Sequence, residues 1–582
     1  MAETVLTLFR RNALKFGERP CFHYKIGEQW HTLSWVDAEE RVRRYTLGLM
    51  QWNIGAGKTV AIWGPTCMEW TLLDLSILAS GAMVVPIYPS LIKDQVLHIL
   101  KDAKISLLFV HSQAMLALLE GEAEKQGIRI VLFDQAPKLL MEAGRQVVVN
   151  RYDEQVNNLR LSDTATIIYT SGTTGPPKGA LLTHRNIMTE VTALVQNFNF
   201  DANSIGLLVL PLAHVMARAM QFFQLVNGCQ AAYAESLEKL GQNFLEIRPH
   251  FFLGVPRLFE KIQEGVLLKM DKAPKPLITL LKNSLAVGLE VSELLQKHLP
   301  IPFGLRCQYA LARVLLFSKL RRKMGGRIRY LISGGAPLQK GVAQFFHAAG
   351  IILLEGYGLT ETFAAVSLNR EDDFRLGSVG KPLEGMRIKL SDDGEICVKG
   401  DNIFQGYLGH KTETEEAFDS EGWFLTGDIG EFTKDGFLKI TDRKKDIIAT
   451  SGGKKIAPQN IERLLASNRY ISQVMVYGDG QKFLSALVTL QWETVENYAK
   501  ERGLVFQARN DLVRQPEIVQ LIQKEIDACN QNLASFETIK KFAILDHDFS
   551  IESGELTPTM KVKRKSVTEK YRQVLESFYK EA

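Results

Sequence analysis

The stretch Thr166-Ile-Ile-Tyr-Thr-Ser-Gly-Thr-Thr-Gly-Pro-Pro-Lys-Gly179 decides how the chain is read. It starts as a strand, because β-branched Thr166, Ile167 and Ile168 suit a pleated, half-buried backbone. It then changes to small and hydroxylated residues. From Thr170 to Gly175 the backbone N–H groups and hydroxyls can wrap phosphate oxygens, and Lys178 adds a positive charge. The order differs from a Walker A loop, whose GxxxxGK[ST] spacing is absent. Composition alone equally allows a Ser/Thr/Gly surface loop.

On both sides, short apolar runs alternate with amphipathic ones. Lys58 to Trp63, Ile105 to Val110, Ile128 to Phe133, Ile328 to Ile332 and Ile351 to Leu354 read as strands. Helical stretches follow from Met68 and around Val342 to Ala349. Such alternation argues for α/β architecture. No period of about 20–50 residues is visible, which excludes a solenoid. From about Ile262 to Gly325 helix dominates, with Leu277, Leu280, Leu281 and Leu285 at helical spacing among many lysines and arginines. The plainer reading is an insertion with a solvated basic face; the sharper one is a membrane-facing or lipid-guiding patch. After Asp442 the pattern changes. A hairpin over Val474 to Leu490, turning at Gly478-Asp479-Gly480, precedes a helix over Glu517 to Leu533 and a basic tail. The domain boundary falls in Thr441-Asp-Arg-Lys-Lys-Asp446, whose dense charge predicts an exposed segment.

Composition narrows the classes. Of 582 residues, 46% are hydrophobic and 23% charged, which excludes collagen, long disorder and a disulfide mini-protein. The longest apolar stretch, Leu72 to Tyr88, is broken by Asp74, Gly81 and Pro86, so it predicts buried core and no membrane span. A net charge of +5 gives little pull on anionic partners. The six cysteines show no CxxC pair or metal spacing, which favours reduced thiols in the cytoplasm. Met1 to Gly17 reads as an amphipathic helix, not as a signal peptide.

Further motifs follow the phosphate-loop stretch in order: Gly356-Tyr-Gly-Leu-Thr-Glu-Thr362, Thr426-Gly-Asp428 and Asp442-Arg-Lys-Lys-Asp446. Together they resemble the adenylate-forming superfamily of acyl-CoA synthetases, luciferases and peptide-synthetase adenylation domains, over residues of about 20 to 570. Pro211-Leu-Ala-His214, Ser333-Gly-Gly-Ala-Pro337, Ser451-Gly-Gly-Lys-Lys-Ile-Ala-Pro458 and Leu556-Thr-Pro-Thr-Met-Lys-Val-Lys-Arg564 are similar to long-chain fatty acyl-CoA synthetases. Met560 stands where many relatives have Gly.

The resemblance implies a large N-terminal domain of α/β layers over residues 1–441, with a small β-barrel-like part and the helical insertion at 262–325. A hinge at 442–446 and a small mobile α+β C-terminal domain at 447–582 complete it. The implied reaction has two halves: a fatty acid attacks ATP to give acyl-adenylate and pyrophosphate, then coenzyme A displaces AMP. Both partners of the first half are anions, so the site must screen charge and align the attack.

The residue roles are likewise implied by the resemblance. Thr170, Ser171, Gly172, Thr173, Thr174 and Lys178 would hold the phosphates. Glu361 would be a Mg2+ ligand, a hard oxygen for a hard cation, and Thr360 would bond the α-phosphate. Tyr357 would stack on adenine, with Gly335, Ala336, Pro337, Glu355, Gly356 and Gly358 shaping the nucleotide site. Asp428 and Arg443 would reach the ribose. Lys561 would bridge the attacking carboxylate and the α-phosphate. His214 would line the acyl and thioester site. Lys445 matches the hinge, and Ser451, Gly452 and Gly453 would line the coenzyme A tunnel. The partners implied are fatty acid, ATP and coenzyme A, no nucleic acid, with room for peripheral membrane contact and for a homodimer. A fatty acyl-AMP ligase serving a carrier protein is the nearest alternative. A luciferase-like oxygenase is more distant, because it would need O2 or light chemistry in addition to the shared adenylation. A non-catalytic binding protein is more distant because Lys178, Glu361, Asp428, Arg443 and Lys561 are all present.

Overall fold

The structure, a computed structural model, describes residues 3–170, 177–452, 454–557 and 560–580. Two large sheets carry most of the chain. One has seven strands, in the order Gly406–Tyr407, Lys178–Thr183, Thr164–Thr170, Met83–Ile87, Thr59–Trp63, Leu107–Val110 and Arg129–Leu132. Its last four strands run parallel and alternate in sequence with helices, as the apolar periodicity predicts. The other sheet has nine strands and holds, side by side, Ala364–Leu368, Ile352–Leu359, Tyr330–Ser333, Phe251–Gly254, Ile205–Leu208 and Gln230–Tyr233. Parallel strands covered on both faces need near-continuous apolar runs; Phe251–Gly254 and Tyr330–Ser333 are buried throughout.

The apolar stretch Leu72 to Tyr88 is core. It supplies most of the helix Met68–Ala79 and the strand Met83–Ile87, joined through Gly81 at φ 82°. Asp74 in that helix is fully buried and meets Arg218 of the helix Val215–Asn227. Arg218 Nε donates to Asp74 Oδ2 at 3.0 Å and Nη2 to Oδ1 at 2.5 Å. Its Nη1 donates to Thr166 Oγ1 at 2.6 Å, and Thr166 in turn donates to the Val84 carbonyl at 2.7 Å. On the other side, Gln221 donates to Asp74, Thr71 to Gln221 and Tyr233 to Thr71. One connected polar chain therefore runs from the nine-stranded sheet (Tyr233) to the seven-stranded sheet (Thr166 and Val84).

A four-stranded antiparallel sheet, Arg387–Leu390, Glu395–Lys399, Phe424–Phe432 and Leu438–Arg443, forms the small β part. The C-terminal part has the sheet Ile471–Tyr477, Leu484–Leu490 and Ile539–Ile544. The first two strands pair antiparallel, as the predicted hairpin requires. Helices Pro458–Ala466, Trp492–Glu501 and Pro516–Asn530 share an apolar core with this sheet. The N-terminal amphipathic helix is Val5–Phe16, closed by Gly17 at φ 53°.

Two expectations need correction. The charged segment 441–446 is not wholly exposed: Asp442 is 2% exposed, with its carboxylate Oδ1 accepting the Arg443 N–H. Burial raises this carboxyl to about 6. The leucines at helical spacing also do not form one buried stripe. In the helix Lys275–Gln296, Leu281 is buried but Leu277 and Leu280 are exposed. The packed face is Leu281, Ser284, Gly288, Val291 and Ser292, because Gly288 lies against Phe317 and Ala348, where a Cβ would sit 2.4 Å and 3.1 Å from their side chains. Among the described residues no helix is long and apolar enough to cross a membrane.

Arg218→Met leaves the Asp74 carboxylate buried without its cation. The expected loss is about 3–5 kcal/mol of stability, read as a lower urea midpoint by tryptophan fluorescence, with partial recovery in the Arg218→Met, Asp74→Asn double variant.

Candidate active site

A cavity of about 710 Å3 opens where the two large sheets, the small β part and the C-terminal part meet. Thr170, Lys178, His214, Gly335, Gly356, Tyr357, Gly358, Thr360, Glu361, Arg443, Lys445 and Lys561 all line it, though they come from distant segments of the chain. Ser171, Gly172, Thr173, Thr174 and Gly453 lie outside the described residues. The strand ends that flank the phosphate-loop stretch are described: Thr170 pairs with Lys178 across the hairpin, so the loop's two stems are held side by side at the cavity.

The strand Ile352–Leu359 turns sharply into Thr360–Thr362. Gly358 lies so close to the next strand that a Cβ there would stand 1.5 Å from the Ala364 carbonyl oxygen. Phe363 and Ala364 take φ values of 44° and 92°, strained for residues with side chains. The turn sets Glu361 at 9% exposure, with Oε1 accepting a hydrogen bond from the Tyr407 hydroxyl at 2.8 Å. Asn402 holds the Thr362 carbonyl at 2.9 Å. Tyr407 also carries Lys178 over its ring at 5.7 Å, and Lys178 pairs with Glu413 at 3.1 Å.

Asp428 stands behind the cavity wall, 4% exposed. The Tyr357 hydroxyl donates to its Oδ2 at 2.8 Å, and Arg443 Nε stands 3.0 Å from its Oδ1. Asp428 and Arg443 are direct cross-strand partners, so the register of the small sheet makes this pair. The Asp428 charge helps hold Arg443 firmly protonated, against the desolvation that opposes it. Burial drives the Tyr357 hydroxyl well above its ordinary range, so it stays a neutral donor.

His214 caps the helix Val215–Asn227. Its Nδ1 accepts the Met216 N–H at 3.2 Å, which places the ring proton on Nε2. Burial first, and the Lys561 charge second, lower it to about 4, so it is a neutral imidazole. Gly335, at φ 79°, stands beside Nε2. Lys561 is reached by solvent through the cavity, yet protein surrounds it. The loss of water around its ammonium pushes it down to about 8; Arg443 lowers it further, and Asp428 and Glu361 oppose. Its backbone N–H donates to Thr557 Oγ1 at 3.0 Å. Met560 before it takes φ 63°, the left-handed backbone that glycine adopts at no steric cost.

Other residues stand off the wall. Ala336 and Pro337 are exposed beside Gly335. Glu355 is buried and accepts the Leu338 N–H at 3.0 Å, bracing the turn after Ser333; burial raises it to about 7. Ser451 and Gly452 are exposed and do not line the cavity. Tyr407 and Glu413 line it without any local sequence signal that would mark them, and Lys563 lines it from within the quoted Leu556-to-Arg564 stretch. Tyr407 reaches the site only because Gly406–Tyr407 adds to the strand Lys178–Thr183.

Among the described residues no three His, Cys, Asp or Glu side chains cluster as a metal cage. One buried carboxylate, Glu361, in the same cavity as Lys178 and Thr170, fits Mg2+ that arrives on a polyphosphate, since that ion is usually held by one or two carboxylates plus substrate phosphates.

A family model described as "AMP-binding enzyme" matches residues 9–408, and one described as "AMP-binding enzyme C-terminal domain" matches residues 445–582. The chain is 37% identical to long-chain-fatty-acid–CoA ligase FadD15 of Mycobacterium bovis, over 94% of this chain and 92% of that protein. It is 30% identical to human long-chain-fatty-acid–CoA ligase ACSBG2, over 99% and 92%. The fold matches ATP-bound MatB from Rhodopseudomonas palustris with a TM-score of 0.73 at 21% identity, covering 98% of this chain and all of that one.

Tyr357→Phe keeps the ring and deletes the donor to buried Asp428. The expected cost is about 1–2 kcal/mol, measured as a lower urea midpoint against the unchanged protein.

Proposed function

Because the chain belongs to the AMP-binding enzyme family, we propose that it is a long-chain-fatty-acid–CoA ligase that forms AMP. The observation that carries this reading is one cavity that joins a nucleotide end, lined by Tyr357, Thr360, Glu361, Arg443 and Lys561, to an apolar end, lined by Leu194, Phe198, Met220 and Leu253. The apolar end suits an alkyl chain, whose burial is worth about 0.8 kcal/mol per CH2.

In the first half-reaction the fatty carboxylate attacks the α-phosphorus and pyrophosphate leaves with the bonding pair. Thr170 to Thr174 and Lys178 bind the β- and γ-phosphates, and Thr360 bonds the α-phosphate. Glu361 holds the Mg2+ that comes with ATP, and Tyr407 keeps that carboxylate aimed. The ion screens phosphate charge when bound. Tyr357 stacks on adenine, with Gly335, Ala336, Pro337, Gly356 and Gly358 shaping its slot and Glu355 bracing it. Asp428 and Arg443 hold the ribose. Lys561 places its ammonium between the attacking carboxylate and the α-phosphate, where negative charge gathers. His214, with its proton on Nε2, donates to the acyl oxygen.

In the second half-reaction the thiol of coenzyme A attacks the acyl carbon, sheds its proton and displaces AMP. The presence of Lys561, and not Ser451 or Gly452, at the cavity suits the first half. The small domain turns about 442–446, with Lys445 at the pivot, to withdraw Lys561 and bring Ser451, Gly452 and Gly453 to the thiol path. A few residues can absorb such a dihedral change. On the helical insertion, exposed Phe303, Leu311 and Val314 stand among Arg306 and Arg313, which suits contact with an anionic lipid surface that holds the substrate.

Pyrophosphate release from ATP and Mg2+, with acids of graded length and with or without coenzyme A, tests the reading. Acyl-CoA and AMP should appear when coenzyme A is added. Adenylate without thioester would indicate a carrier-protein acceptor, and no turnover with any length would overturn the reading. Lys561→Ala should lower adenylation by about 10²–10³-fold while ATP binding persists. In the free enzyme Lys561 loses its charge near pH 8, well below an ordinary lysine. The kcat/KM for adenylation should therefore fall as pH rises through about 8, and this limb should vanish in Lys561→Ala.

A further inference from the structure

The acyl wall of the cavity is formed by the helices His184–Asn197 and Val215–Asn227 and by the ends of neighbouring strands. Leu194, Phe198, Met220 and Leu253 make it apolar. Glu190 breaks the pattern. It lies on the same helical face as Leu194 and is 0% exposed to solvent. Its Oε1 accepts the Ala365 N–H at 3.0 Å, while Oε2 has no hydrogen-bonding partner among the described residues. Ser333, on the same wall and equally buried, also has an unpartnered Oγ.

Buried polar groups are almost always paired, so two orphans on one substrate-facing wall call for an explanation. Among the described residues Glu190 has no cation to pair with. Desolvation pushes its carboxyl well above the ordinary carboxylate range, opposed only by the Ala365 N–H. It is therefore a neutral acid with an O–H to donate. Ala365 pairs across the strands with Gly358, two residues before Thr360, so this carboxyl stands near the reacting end of the acyl chain.

Building on the ligase reading, we propose that Glu190 is a specificity-determining residue that donates a hydrogen bond to an oxygen borne by the acyl chain near its carboxylate. The favoured substrates are then 2- or 3-hydroxy (or keto) acids over plain acids of the same length. A site built to bond a substrate oxygen loses that bond, and its own partner, when the oxygen is missing.

The test compares kcat/KM for plain, 2-hydroxy and 3-hydroxy acids of equal length, by pyrophosphate release, in the wild type, Glu190→Gln and Glu190→Leu. The wild type should favour one hydroxy acid by about tenfold or more. Glu190→Gln retains an acceptor for Ala365 and a donor, so it should keep most of that ratio. Glu190→Leu should bring the ratio to about one, whatever its absolute rate. Equal use of all acids by the wild type would overturn the inference and leave the ligase reading intact, as would a ratio that survives in Glu190→Leu. If Glu190→Leu fails to fold, the wild-type ratio and Glu190→Gln still decide. No pyrophosphate with any acid would overturn the ligase reading, and this inference with it.

Discussion

The buried pair between Asp74 and Arg218 is the constraint on which the rest depends. Two charges removed from water are tolerable only when every donor and acceptor finds a partner. Here the partners come from both large sheets, through Thr166 and Val84 on one side and Gln221, Thr71 and Tyr233 on the other. The network fixes the helix Val215–Asn227 against the strand Thr164–Thr170. That helix is capped by His214, and that strand ends at Thr170, so the two sides of the cavity that these residues line are set relative to each other by this network.

Above this floor the cavity is assembled from tight, strained pieces. Gly358 permits the close approach of Ala364, and the left-handed Phe363 and Ala364 aim Glu361 into the cavity under Tyr407. Such strain persists only where the surrounding structure over-determines it. Phe404 and Asn402 supply that support by bonding the backbone carbonyls of Glu361 and Thr362. On the opposite side Lys561 follows Met560, which adopts a backbone suited to glycine. The site thus stores conformational cost in both the N-terminal turn and the C-terminal loop that delivers the lysine.

Much of the fold was legible because it is local. Period-two and period-3.6 patterns located the strands around Thr59–Trp63 and Tyr330–Ser333 and the helix Pro516–Asn530 to within a few residues. Asp74 within Leu72 to Tyr88 argued for core over membrane, and its partner explains how a carboxylate is tolerated there. Local reasoning failed where burial is decided at a distance. Asp442 sits in a run of charges yet is buried, because the strand Leu438–Arg443 carries it under the C-terminal part. Leu277 and Leu280 keep helical spacing with Leu281, but the helix packs through its small residues and leaves them outside.

The sequence by itself determined the α/β alternation and most of the side chains that meet at the cavity, from Thr170 and Lys178 through Tyr357 and Glu361 to Arg443 and Lys561, with Asp428 just behind its wall. Those signals lie within windows of a few residues, where side-chain type and spacing act directly on the backbone. Only the tertiary structure decided that Tyr407 supports Glu361, that Tyr357 and Arg443 share Asp428, and that buried Glu190 stands at the cavity beside Leu194, Phe198 and Met220. These contacts join segments that meet only through strand register and helix packing. Their energies come from desolvation and complementary hydrogen bonds, which no single stretch of sequence contains.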